Sequence, residues 1–119
     1  RLPKKEVIEL EDEFKFASFN FFHKQNLLIV GTTKINLTTK ENELLKLFCI
    51  NLNEKVDRNH ALIKIWGDDS YYNARSMDVY IAKLRKFLSH NDKVQIKTIH
   101  GHGFKLIILD QFICFTFLF

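Results

Sequence analysis

From Phe14 to Leu37 the chain reads FKFASFNFFHKQNLLIVGTTKINL, in which short runs rich in Phe, Ile and Val are separated by the polar stretches HKQN and GTTK. Such runs, punctuated by turn-forming residues, predict three or four antiparallel strands. The period then changes. In LTTKENELLKLFCINLNE the apolar residues Leu44, Leu45, Leu47, Phe48 and Leu52 recur at helical spacing, and Thr38 stands three positions before Glu41 as a capping box. A second helix begins near Asp57, another N-cap, carries Ala61, Leu62, Ile65 and Trp66 on one stripe and stops at Gly67. GDDSYYN, residues 67–73, reads as a loop, ARSMDVYIAKLRKFLSHN as a third helix, and VQIKTIHGHGFKLIIL as strand alternation broken by Gly101 and Gly103. The predicted order is α+β: a small sheet, three helices and a terminal hairpin.

The flanks read differently. Residues 1–13 hold mixed charge and the only proline, the composition of a linker, and the apolar QFICFTFLF near the end is too short to span a bilayer. That tail, within residues 110–119, is an added strand, a partner-binding segment or a cloning remnant. A length of 119 residues suits one domain, 14–109, and 46% hydrophobic with 27% charged residues is an ordinary globular balance. Cys49 and Cys114 have no spacing that resembles a disulfide or zinc framework, which together with the lack of a signal peptide or long apolar span points to a reducing, cytoplasmic setting. The start at Arg1 without methionine suggests a piece of a longer chain.

A net charge of +4 favours an anionic partner only where the cations cluster. On a helical wheel over residues 75–88, Met77, Ile81, Leu84 and Leu88 gather on one side, which must be core. The opposite side receives Arg75, Val79, Ala82, Lys83 and Lys86, with Tyr80 and Arg85 at its edges. Cations for phosphates or guanine edges, a small Ala82 allowing close approach and Val79 methyls for a thymine methyl suit a major groove. The plain alternative is a solvated basic face.

His100 and His102 raise the question of a metal, but two ligands on one strand leave a tetrahedral zinc short, and His23, His60 and His90 are scattered. No nucleophile stands in an elbow or triad context, and Asp68 and Asp69 read as loop solvation, so no metal, cofactor or enzyme activity is expected. HGHGFKLI faintly echoes the aromatic strand motif of RRM domains, but the element order is wrong for them. As a hairpin tip the segment needs only what it has. Gly101 and Gly103 let the backbone turn and approach a sugar-phosphate wall, Thr98, His100 and His102 supply polar contacts, and Lys97 and Lys105 add nonspecific attraction.

LTTKENELLKLF, IKIWGDD, ARSMDVYIAKLRKFL and IKTIHGHGFKL together resemble the winged-helix effector domain of OmpR/PhoB-type response regulators, in the family's order over about Phe14 to Leu106. NARSMDVYI with IHG-x-G looks most similar to the RprY-type members. The resemblance implies a winged helix-turn-helix with an N-terminal four-stranded antiparallel sheet, three helices and a C-terminal β-hairpin wing, and a receiver domain, driven by a sensor histidine kinase, ahead of Arg1. It places Arg75, Ser76, Val79, Tyr80 and Lys83 among base or phosphate contacts; Lys86, on the same basic face of the wheel, is expected in the phosphate set as well. It assigns Asp78 to local hydrogen bonding. Trp66 and the loop Gly67, Asp68, Asp69, Ser70, Tyr71, Tyr72 and Asn73 match the part that relatives present to the DNA backbone and to RNA polymerase. Many relatives have arginine where this chain has His100 and histidine where it has Tyr80, so charge at the wing 98–104 is weaker at neutral pH.

The expected function is sequence-specific double-stranded DNA binding, with helix 75–88 in the major groove and wing 98–104 at the minor groove. The isolated domain is expected to be a monomer that binds as a tandem dimer on direct-repeat promoter sites. The alternative is a protein-interaction domain using loop 67–73 and the apolar tail, with only nonspecific affinity for DNA.

Overall fold

The computed structural model describes residues 8–9 and 13–109, and the expected tail with Cys114 lies outside them. Strands β1 (Ile8–Glu9), β2 (Glu13–Phe16), β3 (Phe19–Phe22), β4 (Leu27–Val30) and β5 (Thr33–Asn36) form an antiparallel meander in sequence order. The four strands implied over 14–37 are β2 to β5. β1 adds a fifth through Ile8↔Lys15 and Glu9↔Phe14, so part of the stretch read as linker is a sheet edge. Register follows the aromatic pattern: Phe14 faces Phe21 and Phe16 faces Phe19, each pair stacked with centroids 5.7 Å and 5.3 Å apart. All four rings are buried, as alternation on a one-sided sheet requires.

Helix α1 (Thr39–Ile50) starts at the expected capping box: the Thr38 hydroxyl accepts from the Glu41 amide, and the Glu41 carboxylate accepts from the Thr38 amide at 2.9 Å. Leu44, Leu45 and Phe48 are fully buried on its inner face, each contributing roughly 1.5–3 kcal/mol of transfer free energy. Asn42, also buried, donates to the His23 carbonyl and the Asn26 side chain and accepts on Oδ1 from His23 Nδ1, tying α1 to the 3-10 turn His23–Gln25.

A short strand β6 (Lys55–Asp57) follows that sequence reasoning did not anticipate. It pairs with β8 (Gly103–Ile108), which in turn pairs with β7 (Val94–Ile99), so the expected hairpin is two strands of a three-stranded sheet. Helix α2 (Arg58–Ala61) is capped by Asp57, whose carboxylate accepts from the His60 amide at 3.1 Å, and continues as a π-helical stretch, Leu62–Trp66. Helix α3 (Tyr71–Leu88) completes the set, ending three residues before the expected Asn91. Both sheets and all three helices share one apolar core, including Phe21, Phe48, Leu62, Met77, Leu84, Phe104 and Leu106.

Candidate nucleic-acid interface

The start of α3 is set by polar caps. Gly67 takes the left-handed φ of 98° and donates its amide to the Leu62 and Ile63 carbonyls, closing the preceding helical stretch. Asp68 then accepts from the Ser70 amide at 3.0 Å and from Asn73 Nδ2 at 2.7 Å, while Ser70, in extended backbone, accepts on Oγ from the Asn73 amide. The helix therefore begins at Tyr71. Of the expected loop 67–73, only Gly67, Asp68, Asp69 and Ser70 lie outside a helix, and Tyr71, Tyr72 and Asn73 form the first turn of α3. The helix expected to read DNA is correspondingly one turn longer than the predicted 75–88.

The Ser70 amide, followed by the Ser70 and Asn73 side chains, holds the exposed Asp68 carboxyl below its ordinary range. A carboxyl lowered in the folded state adds stability above its unfolded pKa of about 4 and loses it as pH falls through the folded value. We expect the Asp68 carboxyl carbon to titrate by NMR below the ordinary aspartate midpoint, with the Ser70 amide moving in step. A midpoint at or above about 3.9 would contradict the capping role.

The face opposite the core is as the wheel predicts. Met77, Ile81, Leu84 and Leu88 are buried, and Arg75, Val79, Ala82, Lys83 and Lys86 are exposed, with Val79 at 54%. Ser76 is half-buried. Arg75 Nη1 donates to the Tyr71 hydroxyl at 3.0 Å, and the guanidinium lies 5.7 Å from that ring's centroid. Tyr80 is half-buried against Trp66, centroids 5.7 Å apart, with the Lys83 ammonium 5.2 Å over Tyr80 and the Lys40 ammonium 5.4 Å over Trp66. Two lysines thus flank an aromatic pair that joins α1, the π-helical stretch and α3. Lys40 also donates to the Ile65 carbonyl at 3.0 Å.

Two arginines fix the wing to this helix. Arg85 donates from Nε to the Ile96 carbonyl at 3.0 Å and from Nη2 to the Thr98 hydroxyl at 2.9 Å. Thr98, expected among the wing's outward contacts, is exposed, and its hydroxyl accepts this bond at the surface. Arg58 pairs with Asp78 at 2.9 Å, donates to the Ala74 carbonyl at 3.3 Å and lies over the Phe104 ring, while its amide donates to the His102 carbonyl at 2.9 Å. Asp78 therefore serves local bonding, as the resemblance implied. The Asp78 side chain is 58% exposed, so this pair adds little stability by itself and acts mainly on orientation. Sequence reasoning missed Arg58 and saw Arg85 only as an edge residue; neither role has a local sequence signal.

At the wing tip Gly101 has φ 72°, and the His102 amide donates to the Ile99 carbonyl, which leaves His100 and His102 exposed. Among the described residues no group of three His, Cys, Asp or Glu side chains could hold a metal ion. His23 and His90 are each engaged with a neighbour, Asn42 Oδ1 and the Phe87 carbonyl. Cys49 is buried, which pushes its thiol up and keeps it protonated at neutral pH. No described helix is long and apolar enough to cross a membrane.

Comparison with known proteins agrees with this geometry. Residues 32–106 match the family described as transcriptional regulatory protein, C terminal. The transcriptional regulatory protein RprY of Bacteroides fragilis is 51% identical over 94 residues, covering 79% of this chain and 40% of that protein. The chain spans less than half the length of such relatives. Among solved structures, the DNA-binding domain of Bacillus subtilis CssR superposes with a TM-score of 0.65 at 28% identity, over 75% of this chain and 99% of that one. The Klebsiella pneumoniae RstA DNA-binding domain, solved in complex with the RstA box, shares the fold with a TM-score of 0.69 at 24% identity, over 82% of this chain and 98% of that one.

Proposed function

Since this chain belongs to the family of C-terminal domains of transcriptional regulatory proteins, we propose that it is the DNA-binding effector domain of an OmpR/PhoB-type response regulator, reading double-stranded DNA by sequence. The observation that carries this reading is the exposed basic face of α3, held at fixed orientation to the wing by Arg58 and Arg85. A helix in a major groove reads base edges from its N-terminal half and meets phosphates farther along. Arg75 and Val79 accordingly face bases, with Ser76 and Tyr80 beside them, and Lys83 and Lys86 meet phosphates. His100, Gly101 and His102 approach the neighbouring minor groove. Binding needs no bond-making step, so the domain is non-enzymatic and requires no cofactor.

In the whole protein a receiver domain ahead of the linker region, phosphorylated by a sensor histidine kinase in the cytoplasm, brings two copies onto a direct-repeat promoter site. The capped segment Gly67 to Ser70, with the adjoining Tyr72 and Asn73, is then free to meet RNA polymerase.

Fluorescence anisotropy against duplexes selected from a random pool, titrated with salt and competed with unselected DNA, tests the reading. A repeat motif bound well above competitor supports it; uniform weak binding that disappears with salt sinks it. In the same assay Lys86→Ala should weaken every sequence alike and lower the slope of log K against log salt by about 0.9, the loss of one phosphate contact. An unchanged slope would remove Lys86 from the phosphate set.

A further inference from the structure

Tyr71 lies on α3 four residues before Arg75, so the two side chains meet on one face of the helix. The contact is double. The hydroxyl accepts from Nη1 at 3.0 Å, and the guanidinium carbon lies 5.7 Å from the ring centroid, so two contacts restrain the position of the guanidinium. Both residues are exposed, Tyr71 at 74%, and with Tyr72, Ser76 and Val79 they line one shallow concavity at the helix N-terminus. An unrestrained surface arginine samples many rotamers, and ordering it on binding costs free energy that a prior contact has already met.

We infer that Tyr71 is a positioning residue for Arg75 and that the pair reads the guanine of a G·C base pair in the major groove. This rests on the DNA-reading function proposed above. Only one of the five guanidinium N–H groups is committed to Tyr71, and the free edge offers two parallel donors. In the major groove the matching pair of acceptors is O6 and N7 of guanine. Val79 lies one turn farther on and is exposed, so its methyls fall beside the next base step, where a thymine methyl would meet them. Tyr71, placed by resemblance in a loop facing polymerase, thus also acts on DNA, through Arg75.

The test measures anisotropy of the purified chain on three duplexes: the best selected sequence, an unselected sequence, and the selected sequence with 7-deazaguanine replacing the guanine that Arg75→Ala ceases to distinguish. Tyr71→Phe keeps the ring and the helix and removes only the acceptor. It should weaken the selected duplex about threefold to tenfold, the cost of ordering one side chain, and leave the unselected duplex unchanged. The 7-deazaguanine penalty should be smaller in Tyr71→Phe than in the wild type, because two changes to one contact are not additive. Equal loss on both natural duplexes would overturn the inference and make the hydroxyl a phosphate contact. Wild-type affinity in Tyr71→Phe, with selectivity still lost in Arg75→Ala, would overturn the positioning role and leave the DNA-reading function standing. A wild-type protein that prefers no sequence would overturn both.

Discussion

Gly103→Ala should destabilise the domain by about 3 kcal/mol, lowering its melting temperature by roughly 10–20 °C in circular dichroism. A Cβ at this position would sit 2.1 Å from the Val56 carbonyl oxygen and 3.1 Å from the Arg58 nitrogen. Both neighbours are backbone, so no rotamer change relieves the overlap. Gly103 faces Asp57 on one side and Ile99 on the other, and separating β6 from β8 also strains the Arg58 amide bond to the His102 carbonyl. The variant should therefore lose wing order as well as stability, visible as broadened His100 and His102 amide resonances. A loss below about 1 kcal/mol would mean that the two strands approach less closely than described.

Arg75→Ala should cost about 10- to 100-fold in affinity for the selected duplex, the value of one bidentate base contact, and little on unselected DNA. The discriminating measurement is the ratio of the two affinities. Loss of base readout collapses that ratio and relaxes preference at one position of the site, whereas loss of a phosphate contact lowers both affinities together. Because Arg75 is exposed and its described partner is Tyr71 alone on the same helix, stability should change by less than about 0.5 kcal/mol, keeping binding and folding separable. An equal loss on both DNAs would return Arg75 to the phosphate set.

What could be read in advance depended on how local the cause was. Thr38 and Glu41 cap α1 through contacts three residues apart, so that start was legible, whereas the two-residue turn that brings the Phe pairs of β2 and β3 together carries no polar stretch like HKQN or GTTK to mark it. The buried stripe of α3 followed from period alone. Its first turn did not, because Tyr71, Tyr72 and Asn73 bury no large apolar group and the cap runs through Asp68, Ser70 and Asn73 instead of a Ser-x-x-Glu box. Strand β6 escaped notice since only Val56 of its three residues is buried and its partner lies at the far end of the chain. Arg58 escaped for a related reason: its neighbours come from α3, β8 and the wing tip, and no spacing announces them. The exposed basic face was read from the sequence, while the brackets that aim it required the structure.

The meander pairs each strand with the next along the chain, whereas Lys55 of β6 finds Lys105 of β8 only after all three helices have been made. Local pairings close with small entropy loss and distant ones with more, and a chain is synthesised from its N-terminus. On the ribosome, then, the aromatic half of the molecule has its partners in hand early, and the DNA-reading half becomes complete last. A nascent or truncated chain lacking β8 would carry the basic helix without the wing that orients it.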